Sequence, residues 1–422
     1  MTDSSHNNAD VIVIGGGVAG LSTALQLAAR KQKVILLEKD DLARGSTNQA
    51  SGLLGQLRSN PEAVCMLMDS MTTLRQLEDL DGTRVFTESG SVRIAQNEAR
   101  AAEIAQGLQI GQAAGLEVTP IGAQELQRRL PYMNIEDVIA ACFCPTDGYL
   151  HPPDLAQLYI RVARRYGADL RPHTPVDRIV IEGGKVAGCH AGGQRFDAPC
   201  VVNAGGPWSY LVADLAAQRL PTAGIGHCYL TFGPDPAHPI APHSPTVRDR
   251  ENLIYSRPTR EGALHVGIYE TQPVSYAMES LPADFQMAAM RVDRQHPTIR
   301  ALLAAAQRRF PFIHEQTPLR FTTGIMSWTP DGNALCGQMP DVAGLYHCAG
   351  FCGHGVMQSA AVGVLMAELI LEGKCRYDLA QLEADRFYDL PEFLSRDAVT
   401  ARCAQAYADA YSTVETSATA SD

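Results

Sequence analysis

The sequence has few of the features that would place a protein at a membrane or on a nucleic acid. It contains no run of roughly 18 or more apolar residues, which a membrane-spanning helix requires. Only five residues are lysine, no cluster of basic residues occurs, and the formal net charge is −11 at pH 7. This acidic balance disfavours nucleic acid and anionic lipid as partners. The first ten residues lack lysine and arginine, so they do not resemble a signal peptide, and we expect a cytoplasmic protein.

Patterns typical of metal sites and disulfide frameworks are also missing. None of the 11 cysteines lies in a CxxC pair. Cys142 and Cys144 form CxC, and Cys348 and Cys352 form CxxxC, but no second pair stands at zinc-binding spacing. We therefore expect reduced, mostly buried thiols and no metal. With 422 residues and 45% hydrophobic content, the chain is long enough to form a large core in more than one domain.

The N-terminal region has the pattern of a strand–helix–strand unit. The continuous apolar run Val11–Ile14 is typical of a central parallel strand. Leu21, Leu25 and Ala28 then recur at helical spacing, and Val34–Leu37 forms a second apolar run. The region therefore predicts one βαβ unit of an open, parallel sheet.

A glycine-rich turn joins the first strand to its helix. Gly15, Gly17 and Gly20 form the pattern GxGxxG, in which glycines permit a tight turn, close approach of a pyrophosphate and close packing of helix on strand. The helix N-terminus carries partial positive charge, which favours a phosphate group. Glu38 follows the second strand, where a carboxylate accepts hydrogen bonds from a ribose diol. The combination predicts a dinucleotide-binding site.

Two further glycine segments favour FAD over NAD. The apolar strand around Val201 and Val202 ends in the small residues 204–206, which allow another backbone to pass close by. The segment 349–355, which contains four glycines or alanines, leads into a predicted helix over 356–371. The N-terminus of that helix would stabilise the negative charge of a reduced flavin near N1 and C2=O. NAD dehydrogenases do not need this additional element.

These segments, with others, resemble the D-amino-acid-oxidase-like family of FAD enzymes. Within the family, the chain is most similar to the β subunits of sarcosine oxidase and proline dehydrogenase and to dimethylglycine dehydrogenase. The matching segments span nearly the whole chain: residues 11–20 with Glu38, 45–47 (GST), 145–148 (PTDG), 203–206 (NAGG), 329–332 (TPDG) and 350–355 (GFCGHG). TPDG followed by an FCGHG-like loop is specific to this family.

The resemblance implies an α/β protein with a Rossmann-like FAD-binding domain that carries GxGxxG. A second, α+β substrate domain built on an antiparallel sheet would cover the flavin ring. Residues 1–81, 146–220 and 321–378 would form the discontinuous FAD-binding domain, and residues 82–145 and 221–320 the substrate domain. Residues 379–422 would form a C-terminal helix and tail. From the sequence pattern we also expect the strand Leu264–Ile268, amphipathic helices near 283–308 and a disordered tail from Thr413 to Asp422.

The resemblance also implies a set of residues that bind FAD. These are Gly15, Gly17, Val18, Ala19, Gly20, Glu38, Lys39, Ser46, Thr47, Gln49, Ala50, Ser51, Gly52, Val176, Ala204, Gly205, Trp208, Gly324, Gly350, Gly353, His354, Gly355, Val356 and Met357. Relatives with covalently attached FAD carry a histidine where this chain has Gln49, so the resemblance implies non-covalent FAD.

Four residues are candidates for catalysis. Tyr255 stands where relatives have a tyrosine that faces the substrate, although a packed core tyrosine is an alternative. His354 either contacts the flavin or caps its helix. Arg257 is a candidate partner of a substrate carboxylate. His265 is the nearest basic residue on the strand Leu264–Ile268, where related oxidases use a lysine for the reaction with oxygen.

The chain departs from its relatives at two positions that concern the substrate. Gly55 stands about where relatives often carry an arginine that pairs with a substrate carboxylate. Met326 stands where glycine-oxidase-like members place another arginine. Arg257 and Arg58 are the substitutes that we predict first and second, with Arg320 as a further candidate. For Arg257 and Arg320, a surface or salt-bridged arginine is an equally good interpretation.

The resemblance implies oxidation of a small amine to an imine by hydride transfer to flavin N5. The expected substrates are secondary or N-methylated amines, amino acids or imino acids. One alternative is a primary-amine oxidase of the glycine-oxidase kind, and another is a flavin-binding subunit that is inactive without a partner subunit. The electron acceptor is oxygen, a quinone or a carrier protein. We favour a dehydrogenase, because no lysine lies between Lys185 and Lys374.

Overall fold

A computed structural model describes residues 7–281, 289–290, 295–314, 318–378 and 380–412. The strands are β1 (Val11–Ile14), β2 (Val34–Leu37), β3 (Leu53–Leu54), β4 (Phe86–Glu88), β5 (Ser91–Ala95), β6 (Thr119–Ile121), β7 (Ala140–Cys144), β8 (Gly148–Leu150), β9 (Asp169–Arg171), β10 (Val176–Glu182), β11 (Lys185–Ala191), β12 (Gln194–Asp197), β13 (Cys200–Asn203), β14 (Ala223–Phe232), β15 (Thr246–Asp249), β16 (Ile254–Pro258), β17 (Leu264–Ile268), β18 (Ser275–Tyr276), β19 (Ala289–Met290), β20 (Arg320–Trp328), β21 (Leu335–Gln338) and β22 (Leu345–Ala349).

The α-helices are α1 (Val18–Ala29), α2 (Ser46–Gln49), α3 (Pro61–Asp81), α4 (Glu98–Ala113), α5 (Ala123–Arg129), α6 (Pro152–Arg165), α7 (Ser209–Asp214), α8 (Pro297–Arg309), α9 (Gly355–Glu372) and α10 (Arg396–Ala410). The predicted tail from Thr413 to Asp422 lies outside the described residues, as does much of 283–296 in the predicted helical region near 283–308.

A six-stranded sheet forms one half of the molecule, in the order β21-β22-β13-β1-β2-β9. Pairs from β22 to β9 are parallel, and β21 joins the edge antiparallel to β22. The strands β1, β2 and β13 are buried along their whole length, which explains their continuous apolar sequences. The βαβ unit predicted from the sequence is present as β1, α1 and β2.

Helices cover one face of this sheet. α1 packs against α9 and α6, and α3 packs against α9 and α6, so that their apolar residues share one core cluster with the sheet. α9 is long and apolar enough by composition to cross a membrane. More than half of it is buried inside the protein, where Leu365 and Met366 are fully inaccessible. A buried core helix of a globular protein has the same composition.

A second, ten-stranded sheet has the order β19-β20-β14-β17-β16-β15-β5-β7-β6, with β18 paired to β14. Its pairs are antiparallel, except that β15 runs parallel to β5. α5 and α8 contact this sheet, and the residues Leu230, Val266 and Leu302 lie in its core cluster. α10 packs against β14, β18 and β20. The predicted strand Leu264–Ile268 is β17.

The domain division inferred from the sequence remains a proposal. The six-stranded sheet takes its strands from residues 11–37, 169–171, 200–203 and 335–349. The predicted range 321–378 of the FAD-binding domain includes all of β20 except Arg320. In the structure, however, β20 pairs with β14 in the ten-stranded sheet. The chain therefore crosses between the two sheets at Thr329–Gly332, the TPDG turn that follows β20.

Candidate active site

A cavity of about 610 Å³ lies where residues of the two large sheets meet. Ile14, Leu37 and Cys348 line it from the six-stranded sheet, and Tyr255 and Gly324 line it from the ten-stranded sheet. Every residue predicted to bind FAD lines this cavity, with the exception of Gly20 and Gly350. The sequence patterns therefore converge on one place, although their residues are spread over more than 300 positions of the chain.

The glycine-rich turn forms one end of the cavity. Gly15 has a φ of +112°, and a Cβ atom there would lie 2.4 Å from the carbonyl oxygen of Ala204, so only glycine fits. Thr47 Oγ1 accepts a hydrogen bond of 3.1 Å from the amide of Val18. Glu38 accepts hydrogen bonds from the amides of Gly16 (2.6 Å) and Asp40 (2.9 Å). The Glu38 carboxylate therefore holds the turn in place while it also lines the cavity.

Gly20 and Gly350 serve the backbone around the cavity and do not line it. A Cβ atom at Gly20 would lie 2.0 Å from the carbonyl oxygen of Gly15. Gly350 has a φ of +65°, and a Cβ atom there would lie 2.5 Å from the side chain of Thr329. Both glycines therefore permit close packing of neighbouring segments rather than access for a ligand.

Lys39 and Trp208 stand together on the wall near this end. The ammonium nitrogen of Lys39 lies 3.6 Å from the centre of the Trp208 ring, in a cation–π contact. Burial lowers the pKa of Lys39, against an opposing effect of Glu38 and Asp40. Lys39 and Trp208 therefore form an aromatic and cationic part of the cavity wall beside Glu38.

Gln49 occupies the middle of the cavity wall. A Cβ atom at Gly324 would lie 2.8 Å from the Cβ of Gln49, so glycine on β20 makes room for this side chain. Gln49 is buried, and its Oε1 has no hydrogen-bond partner among the described residues. Ser46, on the same short helix α2, donates a hydrogen bond to the carbonyl of Ile325 and so joins α2 to β20. A buried amide oxygen without a partner indicates a place for a ligand donor.

Two longer helices begin at the cavity. α1 starts after Gly17 and α9 after His354, and neither cap residue makes a side-chain hydrogen bond to its helix. Their N-termini therefore present partial positive charge to the cavity. His354 itself lines the cavity. Burial, together with the guanidinium groups of Arg58 and Arg248, lowers the pKa of His354 well below its usual range, so that the imidazole is neutral.

A hydrogen-bonded chain of side chains forms the opposite end. The hydroxyl of Tyr255 lies 2.8 Å from Nε2 of His227, and Nδ1 of His227 lies 2.9 Å from Oε2 of Glu270. Tyr407, on α10, donates a hydrogen bond to the same carboxylate oxygen. Tyr255 and His227 line the cavity. Burial raises the pKa of Tyr255 well above its usual value, so its hydroxyl keeps its proton.

Aromatic rings surround this end of the cavity. Tyr269 stacks on Tyr411 with a centroid distance of 4.4 Å and lies 5.4 Å from Tyr255. Tyr411 directly follows α10, so the C-terminal helix contributes to the wall. Sequence reasoning missed His227, Tyr269 and Tyr411. No local motif marks them, because they come together through strand pairing and the packing of α10.

Of the residues that sequence reasoning missed, Arg248 has the greatest consequence for the chemistry of the cavity. It lies on β15, opposite Tyr255 of β16 and beside Arg93 of β5, and it lines the cavity. Within the described ranges, its guanidinium has no hydrogen bond or ion pair. A Cβ atom at Gly55 would lie 3.2 Å from Nη2 of Arg248. Arg248 therefore places its charge beside position 55, where relatives often carry an arginine.

The structure does not bring Arg257 or His265 to the cavity. Arg257 is 4% exposed and donates hydrogen bonds to the carbonyl oxygens of Ser51 and Pro258, the latter at 2.9 Å. His265 stacks on Tyr229 at 5.0 Å, away from the cavity wall. Burial, helped by Arg257 and Arg320, lowers the pKa of His265 to about 2, so it carries no positive charge near neutral pH.

Arg58 and Arg320 do not line the cavity either. Arg58 donates to the carbonyl of Leu57 at 2.5 Å and lies 2.7 Å from the sulfur of Met357. Burial and the neighbouring charges of Arg248 and Arg93 lower the pKa of Arg58 to about 9. Arg58 thus adds positive potential close to Arg248 without facing the cavity. Across the described part of the chain, no group of three or more His, Cys, Asp or Glu side chains is placed to hold a metal.

Comparison with known proteins gives a family and a fold. The profile of the DAO family, described as FAD dependent oxidoreductase, matches residues 10–369. Human mitochondrial sarcosine dehydrogenase is 29% identical over 421 residues, which cover 97% of this chain and 44% of that protein. Glycine oxidase from Geobacillus kaustophilus (strain HTA426) is 25% identical over 388 residues, which cover 89% of this chain and 97% of that protein.

A crystal structure of L-proline dehydrogenase from P. horikoshii has a TM-score of 0.83 against this chain, with 24% identity, and covers 90% of this chain and 98% of that one. The two chains therefore share a fold. This chain spans less than half the length of the human sarcosine dehydrogenase it matches. Since the family profile matches 10–369 of 422 residues, the chain belongs to the DAO family of FAD-dependent oxidoreductases.

Proposed function

We propose that this chain oxidises a small amine that carries a carboxylate to the corresponding imine. The preferred substrates are secondary or N-methylated amino acids and cyclic imino acids. The observation that carries the proposal is the pair formed by Arg248 and Tyr255 on neighbouring strands: an unpaired cation and a hydroxyl face one cavity. The names of sarcosine dehydrogenase and L-proline dehydrogenase support this substrate class.

The cavity fits FAD, the cofactor of the family. Gly15 leaves room that a Cβ atom would fill, and the N-terminus of α1 favours a pyrophosphate. The N-terminus of α9 favours the negative edge of a reduced flavin, and Gln49 Oε1 offers a buried acceptor. Because Gln49 has no nucleophilic atom, we propose non-covalent binding. Bound here, FAD would supply an acceptor at N5 for a hydride from the α-carbon of the amine.

Arg248 orients the substrate in this proposal. A buried carboxylate without a positive partner is costly, and the Arg248 guanidinium can meet both carboxylate oxygens. Tyr269 and Tyr411 exclude water from the same end of the cavity. Holding the carboxylate on β15 fixes the position of the α-carbon relative to the hydroxyl of Tyr255.

Tyr255, His227 and Glu270 keep the amine neutral. Glu270 only accepts hydrogen bonds when ionised, so Nδ1 of His227 carries the hydrogen, and Nε2 accepts from the Tyr255 hydroxyl. A substrate ammonium group that donates to the Tyr255 oxygen can lose its proton to Tyr255, while Tyr255 passes its own proton to Nε2. The resulting imidazolium is stabilised by Glu270. The neutral amine is the form from which hydride leaves.

The test is an anaerobic screen of the purified chain with its cofactor. Bleaching of the flavin absorption band by N-methylated amino acids or proline, but not by the same amines without a carboxylate, would support the proposal. Acid precipitation is expected to release FAD into the supernatant, whereas flavin in the pellet would contradict non-covalent binding. A chain that binds FAD yet is bleached by none of these amines would overturn the proposed reaction.

The screen also separates two other possibilities. Faster bleaching by glycine than by its N-methylated form would favour a primary-amine oxidase, as the name of the Geobacillus relative suggests. Bleaching that requires an added second polypeptide would favour a flavin-binding subunit. This outcome is compatible with a chain that spans 44% of human sarcosine dehydrogenase.

For the electron acceptor we propose a quinone, a carrier protein or a partner subunit, with slow use of oxygen. Reduction of oxygen begins with formation of superoxide, which a fixed positive charge near the flavin favours. The only lysine on the described cavity wall is Lys39, which stacks on Trp208, and the buried imidazole of His354 is neutral. In the proposed complex, the charge of Arg248 is paired with the carboxylate of the bound substrate or product. In stopped-flow reoxidation with air-saturated buffer, a rate equal to turnover with stoichiometric peroxide would instead indicate an oxidase in which Arg248 or Arg58 supplies the charge.

A further inference from the structure

The C-terminal helix α10 lies outside the matched family region, yet it packs against the catalytic end of the cavity. The family profile ends at residue 369, and α10 begins at Arg396. The rings of Tyr407 and Trp328 have a centroid distance of 4.8 Å. The carbonyl of Ala410 accepts a hydrogen bond of 2.6 Å from Arg250. These contacts hold α10 in a defined position beside the proposed proton-transfer chain.

Tyr407 makes three polar contacts at one end of that chain. Its hydroxyl donates a hydrogen bond to Oε2 of Glu270 and lies 3.2 Å from Nδ1 of His227. The backbone amide of Glu270 donates to the Tyr407 oxygen at 3.4 Å. Tyr407 is fully buried and does not line the cavity. Its hydroxyl can therefore act on a substrate only through Glu270 and His227.

Hydrogen bonds hold the charge of Glu270, because no lysine or arginine of the described residues forms an ion pair with it. Its Oε1 accepts from the amide of Cys228 at 3.1 Å and from the thiol of Cys228 at 3.5 Å. Its Oε2 accepts from His227 and from Tyr407. Hydrogen bonds to a carboxylate favour its ionised form. Two donors on the same oxygen also share its negative charge, so the hydroxyl of Tyr407 weakens the field that Oε2 exerts on His227.

The hydrogen-bond donors around this pair keep their own protons. Burial raises the pKa of Tyr255, of Tyr407 and of the Cys228 thiol well above their usual ranges, and the charge of Glu270 adds to each shift. A proton taken up here therefore resides on the imidazole of His227 or on the carboxylate of Glu270. The other described titratable or charged side chains around the pair are Tyr269, Tyr411, Arg248 and Arg250.

We propose that Tyr407 is a positioning residue for the oxidation, because its hydroxyl draws charge away from the carboxylate oxygen of Glu270 that faces His227. The imidazole then returns readily to its neutral form, which accepts the proton of Tyr255. This inference rests on the proposed function, in which Tyr255 passes its proton to Nε2. Without the Tyr407 hydroxyl, the undivided charge of Oε2 stabilises the imidazolium, which cannot accept another proton.

Packing alone does not account for a tyrosine at position 407. The ring contacts Trp328 and Tyr411, and a phenylalanine ring would make the same contacts. The hydroxyl, in contrast, has its described contacts with Glu270 and His227. The position of the hydroxyl therefore favours a role in the proton-transfer chain over a role in the core.

The first experiment compares the pH profile of kcat/KM for the FAD-loaded wild type and Tyr407→Phe. We expect the acidic limb to lie roughly one pH unit higher in the variant, as loss of a hydrogen bond to a charged group predicts. At pH values above the limb, kcat and KM should approach those of the wild type, because Arg248 is unchanged. A loss of activity that is the same at every pH would indicate a structural role and overturn the inference.

Tyr159→Phe is the matched control. Tyr159 is also fully buried, and its hydroxyl lies 2.9 Å from Oγ of Ser359, but neither residue lines the cavity. The acidic limb of this variant should coincide with that of the wild type. An equal shift in Tyr159→Phe would show that any lost buried hydroxyl moves the limb, which would contradict the assignment to Tyr407.

Two further variants keep the inference testable if Tyr407→Phe does not fold. Tyr407→3-fluorotyrosine keeps the ring and makes the hydroxyl a stronger donor, so the acidic limb should move to lower pH. A shift to higher pH, or none, would contradict the proposal. In Glu270→Gln the carboxylate charge is absent, so either change at Tyr407 should cause no additional shift in that background. The same shift with and without the carboxylate would exclude action through Glu270.

A measurement without turnover separates the inference from the proposed function. Nitrogen NMR of labelled histidine rings is recorded over a pH series on the FAD-loaded protein, and the His227 signal is assigned from its loss in His227→Gln. That signal should titrate at a higher pH in Tyr407→Phe than in the wild type. If it does so although no amine bleaches the flavin, the proposed function fails and the role of Tyr407 stands. If amines bleach the flavin but neither the NMR nor the kinetic midpoint moves, the inference fails while the proposed function stands.

Discussion

Arg248 lies close to the backbone of Gly55. Its Nη2 lies 3.2 Å from where a Cβ atom of residue 55 would stand, so a side chain there would require the guanidinium to shift by a few tenths of an ångström or more. A positive charge can thus be provided from β15 instead of from the segment after α2. Arg257, although only two residues after Tyr255 on β16, donates to the backbone carbonyls of Ser51 and Pro258. The position of the charge therefore depends on strand pairing and not on proximity in sequence.

Replacement of Arg248 with Met should affect carboxylated substrates selectively. Loss of a charged partner of a buried carboxylate costs about 2–5 kcal/mol, so KM for the amino acid should rise at least 30-fold. KM for the same amine without its carboxylate should change little. Steady-state kinetics on both compounds check this expectation. Arg257→Met is the matched comparison: it should lower the melting temperature and affect both compounds equally, and a selective effect there would restore Arg257 as the carboxylate partner.

Glu38→Ala should weaken FAD binding by one to two orders of magnitude. The carboxylate lines the cavity and accepts hydrogen bonds from Gly16 and Asp40. One charge-assisted hydrogen bond contributes about 1.5–3 kcal/mol, and tenfold in affinity corresponds to about 1.4 kcal/mol. Titration of the apoprotein with FAD gives the value. Glu38→Gln keeps the size and one acceptor, so its FAD affinity should lie between those of the wild type and Glu38→Ala. Unchanged affinity in Glu38→Ala would exclude Glu38 from ribose binding.

At the scale of elements, the sequence predicts the pieces better than their arrangement. β1, α1 and β2 follow from continuous apolar runs and a glycine turn, all of which are local signals. The pairing of β15 with β5 joins residues 246–249 to residues 91–94 in parallel. No local pattern specifies that register, and it is what brings Arg248 beside Arg93. For the same reason α10 could be predicted as a C-terminal helix, but the contact of Tyr411 with Tyr269 could not.

The contact between α1 and α9 gives a prediction at this scale. A Cβ atom at Gly363 of α9 would lie 2.2 Å from Oγ and 2.7 Å from the carbonyl carbon of Ser22 on α1. Gly363→Ala therefore forces the helices apart and should cost about 1–3 kcal/mol of stability. Because both helices begin at the cavity, FAD affinity should fall as well. Melting temperature and FAD titration measure the two effects.

The matched control for this variant is Gly122→Ala. Gly122 precedes α5, has an ordinary φ of −84°, and has open space around its Cβ position. Because Gly122 is the N-cap residue of α5 and alanine is a poorer cap, we expect a loss of about 1 kcal/mol of stability there, but no change in FAD affinity. If Gly363→Ala were as stable as wild type and bound FAD equally well, the two helix N-termini would not be held in place by this contact.

Across the whole molecule, buried neutral histidines make stability depend on pH. Burial lowers the pKa of His347 to about 3, while an unfolded histidine titrates near pH 6.5. Below pH 6.5 the unfolded chain binds a proton that the folded chain does not. Stability contributed by neutral His347 is therefore present above pH 6.5 and declines as pH falls towards 3. Between pH 7 and pH 5 this amounts to about 2 kcal/mol.

Chemical denaturation at a series of pH values tests this expectation. His347→Gln should flatten the dependence of unfolding free energy on pH between 7 and 5, whatever its effect on stability at pH 7. His243→Gln, at an exposed position in the loop before β15, should leave the slope as it is. An unchanged slope in His347→Gln would mean that other buried groups account for acid sensitivity.

The dispersal of the cavity wall along the chain has a consequence for how the protein is made. The glycine turn at residues 15–20 leaves the ribosome early, but β13 and β22, which complete the parallel sheet beside β1, follow at residues 200–203 and 345–349. The start of α9 and Tyr411 emerge later still. A nascent chain therefore lacks a complete wall for the proposed FAD cavity until almost all of it has been translated. With FAD in this cavity, we expect insertion of FAD to be a late maturation step, and chains that stop before α9 to accumulate as colourless apoprotein.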